Sequence, residues 1–105
     1  MTATVAVLGP GAVGGALAVH LSLAGQRVVC VARRETAAPI VAHGLTLELG
    51  EQEVTAWPEV GELLGEPVDL LVVAVKAPSL DRALGRIARE AVADGVVVSL
   101  LNGLE

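Results

Sequence analysis

Val7-Leu8-Gly9-Pro10-Gly11-Ala12-Val13-Gly14-Gly15 follows the apolar run Thr4-Val5-Ala6-Val7-Leu8 and leads into an apolar-rich stretch that reaches Ala24. The order reads strand, glycine turn, helix. Each glycine of such a unit has a separate role. Gly9 turns the chain out of the strand, Gly11 lets backbone approach a pyrophosphate, and Gly14 lets the helix press on the sheet. The first amides of the helix and its dipole then face the phosphates. A Gly-x-Gly-x-x-Gly triplet alone is a weak signal, and a tight turn without a ligand is the competing reading. The strand before it and the helix behind it favour a dinucleotide site at Gly9, Pro10, Gly11, Ala12, Val13 and Gly14.

Working outward, Ala3 to Leu8 is the first predicted strand and Ala12 to Ala24 the first helix, with Gly25 placed to end it. Arg27 to Ala32 follows as a second, parallel strand, completing a strand-helix-strand unit. Glu35 to Ala42 predicts a short helix that Pro39 would limit or make irregular. Gly44 to Glu48 and Glu53 to Ala56, either side of Gly50, predict a small surface hairpin. Val60 to Leu64 reads as a helical turn before Gly65 and Pro67, and Asp69 to Val75 as a buried strand. Ser79 is placed to cap a helix from Leu80 to about Ala93, whose Leu80, Ala83, Leu84, Ile87, Ala88 and Ala91 share a face. Val96 to Leu100 is the last predicted strand. The expected fold is α/β, a Rossmann-type doubly wound and mainly parallel sheet with helices on both faces, with residues 1–105 forming one dinucleotide-binding domain.

Composition fits that fold. Hydrophobic residues make up 53% of the 105 and mean hydropathy is +0.68, as expected where sheet strands are covered on both faces. A net charge of -5, with seven Lys and Arg and a single aromatic residue, Trp57, argues against a nucleic-acid partner. No Asp, Glu, Lys or Arg occurs from Met1 to Gln26, yet five glycines and Pro10 interrupt the stretch, so neither a signal peptide nor a membrane helix is expected. Cytoplasmic location is the default. Cys30, alone and within an apolar run, reads as a buried inert thiol. His20, in the first helix, and His43, before Gly44, lack companions at metal-ligand spacing, so no metal site is expected.

Ligands of open parallel sheets bind outside the carboxyl ends of the strands. Besides the glycine turn, three such ends carry polar or special residues: Arg33-Arg34, Lys76 and Asn102-Gly103. An acid after the second strand would favour NAD(H) by accepting from the ribose hydroxyls; Arg33 at that place favours NADP(H), because a guanidinium clamps a 2′-phosphate. A solvated arginine pair, or Glu35 turned inward to receive NAD(H), is the alternative. Lys76 at a sheet edge is expected to face cofactor or an anionic substrate, the bland reading being a lysine that extends to water. Asn102-Gly103 matters only through its position beside the expected nicotinamide end.

Taken together, Gly9-Pro10-Gly11-Ala12-Val13-Gly14-Gly15, Arg33, Val75-Lys76-Ala77 and Leu101-Asn102-Gly103-Leu104 resemble the amino-terminal, NADP-binding half of the ketopantoate reductase (2-dehydropantoate 2-reductase) family over essentially the whole chain. The resemblance implies that Arg33 meets the 2′-phosphate of NADPH while Lys76 and Asn102 border the nicotinamide and help hold a 2-keto acid. It also implies reduction of ketopantoate to pantoate, on the route to pantothenate, with a second helical domain supplying a catalytic lysine and a substrate-binding glutamate. Neither of those positions lies in these 105 residues, so the chain by itself is expected to bind cofactor and to catalyse hydride transfer poorly. Its expected partners are the small-molecule substrate, that further domain, and a second copy of the chain in a homo-oligomer. Other two-domain dehydrogenases of opine or glycerol-3-phosphate type, and a stand-alone NAD(P)-sensing module, are the competing readings.

Overall fold

The computed structural model describes residues 2–100. Its strands are β1 (Thr4–Leu8), β2 (Arg27–Val31), β3 (Leu45–Leu49), β4 (Gln52–Ala56), β5 (Glu59–Gly61), β6 (Leu70–Val73) and β7 (Val96–Ser99); its α-helices are α1 (Ala12–Leu23), α2 (Arg34–His43) and α3 (Leu80–Leu84). Five strands form one sheet in the order β5-β2-β1-β6-β7, all parallel. β1 leads by way of α1 to its neighbour on one side, whereas the chain from β6 moves to the other side. The winding therefore reverses between β1 and β6, and a doubly wound sheet opens its ligand crevice there.

The carboxyl ends of the strands are level. In register, Gly61 pairs with Val31, Val31 with Leu8, Leu8 with Val73 and Val73 with Ser99. Every residue that follows this line emerges at the same edge. At the opposite edge, polar side chains close the backbone: the Asp69 carboxylate accepts from the Thr4 amide at 2.8 Å, and Gln26 Oε1 accepts from the Ala3 amide at 2.6 Å. Arg27 also ties that edge together, donating to both Glu59 and Glu66. The Arg27 guanidinium holds the Glu59 carboxyl below its ordinary range.

Strict alternation along the strands sends residues to two cores. Ala6, Leu8, Val29, Val31, Leu71 and Val73 meet Ala83 of α3, with Leu80 and Ile87 packed around them. Val7, Val28 and Cys30 point the other way and meet Ala18 of α1. Helices on both faces explain why these strands are apolar at nearly every position. Burial pushes the Cys30 thiol up to about 11, so at pH 8 thiolate is scarce as well as inaccessible. A disulfide reagent added to the native protein at pH 8 is expected to release no colour until denaturant is added; prompt reaction would mean that the α1 face of the sheet opens.

Several local expectations need correction. Residues 60–64 are not a helical turn: Glu59–Gly61 pairs with β2 as an edge strand, because ladder bonds to a formed sheet outweigh the weak preferences of a three-residue segment. The β6 ladder ends at Val73, short of Val75. The helix expected over 80–93 stops at Leu84, and Ser79 makes no side-chain capping bond. Beyond Gly85 the Leu64 amide donates to the Arg86 carbonyl at 2.8 Å and the Ala88 amide donates to the Leu64 carbonyl at 2.8 Å, diverting the chain before a 3-10 turn at Arg89–Val92. Pro39, in contrast, sits inside a continuous ten-residue α2, where burial of Ala37 and Ile40 offsets the missing amide. The β3-β4 hairpin forms as expected but lies against α1 through Leu45, so it is less peripheral than its polar alternation implied. Gly25, at φ +88°, ends the first helix as expected.

Candidate functional site

Past the level strand ends lies a crevice of about 630 Å³. Leu8 to Val13 form its floor at β1, Val31 to Arg33 and Thr36 one wall, Ala74 to Lys76 the other, and Pro78, Ser79, Arg82 and Arg86 the α3 side. The sequence-derived residues Gly9, Pro10, Gly11, Ala12, Val13, Arg33 and Lys76 thus share one cavity. Gly14 lies beneath it, buried in the first turn of α1. Asn102 lies outside the described residues. A shallower hollow of about 420 Å³ is bordered by Arg27, Trp57 and Glu59 at the amino ends of the strands. It lacks the glycine turn and the cation cluster.

The three fingerprint glycines are glycines for three different reasons. Gly9 has φ +84°, and a Cβ there would collide with the Val75 side chain and stand 3.3 Å from its Cα. Left-handed backbone and lack of room both demand glycine. At Gly14 a Cβ would stand 2.6 Å from the Gly9 carbonyl oxygen, 3.0 Å from Ala74 Cβ and 3.2 Å from Val7 Cγ1; helix and sheet touch there without a spacer. Gly11 is different: its backbone is extended, at φ -78° and ψ -152°, and a Cβ would meet nothing within 4 Å. Neither conformation nor packing within the protein asks for glycine at 11.

Gly11 is also the N-cap of α1, with no capping side chain and no acid in the first turn. A helix start without a side-chain acceptor leaves amide donors and the positive end of the dipole for an external anion. Charge in the crevice agrees. Arg33, Lys76, Arg82 and Arg86, four of the chain's seven Lys and Arg, line it, and among the described residues no Asp or Glu does. In a chain of net charge -5, that separation focuses positive potential on one concavity. Arg33 is exposed and has only a loose 3.9 Å contact with Glu35, which leaves its fork free for a ligand. Arg86 donates to the Glu62 carbonyl at 3.1 Å.

Arg82, Arg86, Thr36 and Ser79 were not legible as site residues. A continuous helix over 80–93 has its apolar face fixed by Leu80, Ala83 and Ile87, and nothing in that pattern says which end of the sheet its polar side overhangs. The available signal was a pair of arginines one helical turn apart, shortly after the buried strand that ends before Lys76. Metal-binding clusters of three or more His, Cys, Asp or Glu are absent among the described residues, and no helix of these is long and apolar enough to cross a membrane.

Comparison with known proteins agrees with this architecture. The family model for ketopantoate reductase PanE/ApbA matches residues 5–105. The crystal structure of an inferred ketopantoate reductase from Ralstonia solanacearum MolK2 superposes with a TM-score of 0.90 at 30% identity, covering 98% of this chain and 33% of that one. A PanE/ApbA family ketopantoate reductase from Ralstonia eutropha JMP134 gives 0.82 at 29% identity, over 97% of this chain and 35% of the other. A D-mandelate dehydrogenase, solved with NADH and anilino(oxo)acetate, gives 0.80 at 27% identity, over 97% and 35%. The chain therefore spans about a third of the length of the structures it matches.

Proposed function

Since the chain belongs to the ketopantoate reductase PanE/ApbA family, a family of oxidoreductases, we propose that it is the NADPH-binding part of a 2-keto acid reductase acting on 2-dehydropantoate. The observation that carries the dinucleotide reading is Gly11, a glycine that the protein's own conformation and packing do not require, at the mouth of a cationic crevice. A pyrophosphate needs the space that a side chain would take. The residues present fit the cofactor: the Ala12 and Val13 amides at the start of α1 hold the pyrophosphate where Gly11 leaves room for it, and Arg33 with Thr36 receives the adenosine ribose and its 2′-phosphate. NADPH, when bound, supplies the hydride.

Lys76 follows β6 on the other side of the switch point, and its ammonium there holds the nicotinamide end and the carboxylate of the keto acid; Asn102 serves the same end. Neither is assigned the proton donor. Stabilising the alkoxide that forms as hydride arrives requires a positioned acid, which in this reading comes from a further helical domain. At the edge of the sheet, β7 leaves Val96, Val97 and Val98 exposed, apolar surface suited to cover by a further part of the protein. An apolar sheet edge of this kind is costly to leave in water.

Calorimetric titration of the chain with NADPH and NADH at one salt concentration tests the reading. Tighter binding of NADPH is expected. Arg33→Ala should weaken NADPH by roughly ten- to a hundredfold, the worth of a charge-assisted hydrogen-bonded contact of about 1.5–3 kcal/mol, and leave NADH nearly as it was. Equal losses for the two would remove the phosphate-clamp assignment. A parent chain preferring NADH, the cofactor of the related D-mandelate dehydrogenase structure, would instead give Glu35 the ribose role.

A further inference from the structure

The crevice holds more positive charge than one arginine accounts for. Arg82 and Arg86 both line it from the α3 side, and the chain after α3 is anchored well past β2. Arg86 donates to the carbonyl of Glu62, the residue after β5, and backbone bonds join Leu64 to Arg86 and Ala88. β5 is the neighbour of β2 on the side away from β1. The segment from Leu80 to Arg86 therefore runs from the end of β6 toward the β2-β5 side, with Ala83 in the same buried core as Leu8 and Val31. Arg82 and Arg86 lie on this course and line the same crevice as Arg33 and Thr36.

Arg82 is exposed, and no ion pair or side-chain hydrogen bond engages it among the described residues. Its sequence neighbour Asp81 does not line the crevice. Arg86, by contrast, already spends a donor on Glu62 and is held in place by it. A guanidinium without a protein acceptor, overhanging a cavity that no carboxylate lines, is suited to a dianionic phosphate that arrives with the ligand.

Resting on the dinucleotide reading above, we propose that Arg82 is a specificity-determining residue that meets the adenosine 2′-phosphate from the α3 side while Arg33 meets it from the end of β2. Two forks on one phosphate discriminate against a ribose hydroxyl more strongly than one. Arg86 adds to the field at that end from a fixed position. Lys76, on the far side of the switch point, takes no part in this selection.

The test is titration of the parent chain, Arg82→Ala, Arg82→Lys, Arg33→Ala and the Arg33→Ala/Arg82→Ala double variant with NADPH and NADH. Arg82→Ala should weaken NADPH about tenfold and change NADH by less than about twofold. Arg82→Lys should recover part of the loss, because the charge remains and the fork does not. The double variant should bind both cofactors alike. The ligand-free thermal midpoint of Arg82→Ala should match the parent, since an exposed side chain without a partner supports no packing. A parent that prefers NADPH, with Arg82→Ala keeping the parental NADPH-to-NADH ratio, overturns the role of Arg82 and leaves the Arg33 reading intact. A parent that prefers NADH, or binds neither, overturns both.

Discussion

Gly11→Val is expected to fold and to bind neither NADPH nor NADH. The valine side chain enters open space, so no protein atom must move, and φ -78° with ψ -152° is extended backbone that a β-branched residue accepts. The cost to the fold is that of a poorer N-cap, about 1 kcal/mol, or a fall in thermal midpoint of about 4–8 °C. The cost to the site is far larger. Two methyl groups occupy the place where backbone and pyrophosphate touch, and affinity should drop by more than roughly a hundredfold, equivalent to about 2.7 kcal/mol. Calorimetry with each cofactor, beside a melting curve without ligand, separates the two effects. Retained affinity would show that the glycine turn serves no phosphate.

Gly14→Val should do the reverse, damaging the fold first. Its Cβ would stand within 2.6 Å of the Gly9 carbonyl oxygen and 3.0 Å of Ala74 Cβ, and these neighbours belong to the turn and to the end of β6 rather than to flexible side-chain tips. Relief requires α1 to lift from the sheet and loosen its packing over Val7, Val28 and Cys30. Overpacking of this kind costs about 1–3 kcal/mol, a large share of the roughly 5–15 kcal/mol that holds a domain folded. A loss near the upper end lowers the midpoint by roughly 10–20 °C. The measurement is thermal unfolding in the absence of cofactor. An unchanged midpoint would mean that α1 does not rest on the sheet at Gly14.

The contrast between these two variants shows what the glycine spacing encodes. Gly9, Gly11 and Gly14 are indistinguishable as letters, and the pattern alone is compatible with a turn that binds nothing. In three dimensions one is required by backbone conformation, one by helix-sheet contact and one by neither. The exclusion of both internal reasons at Gly11 turns a motif match into an argument for a ligand.

Much of the architecture was legible because its signals are local. The unbroken apolar runs of β1, β2 and β6, with the glycine turn and the helix behind it, specify a parallel unit with both faces covered. The hairpin around Gly50 follows from alternation and a turn residue. Legibility failed where distant backbone competes for hydrogen bonds. Glu59–Gly61 is a strand because β2 offers it a ladder, and residues 86–88 leave the helical path because Leu64 takes their bonds. No window of sequence contains both partners of those choices.

The functional site divides along the same line. By itself the sequence determined that a dinucleotide-type turn follows the first strand, that Arg33 stands after the second and that Lys76 stands after the buried strand beginning near Asp69, since each depends only on which residue comes next once a strand ends. Only the tertiary structure decided that these ends are level, that α3 is short and crosses toward the β2-β5 side, and that Arg82 and Arg86 therefore join Arg33 over one crevice. Strand register and helix direction arise from pairing and packing between segments more than twenty residues apart, and those long-range contacts exist only in the folded chain.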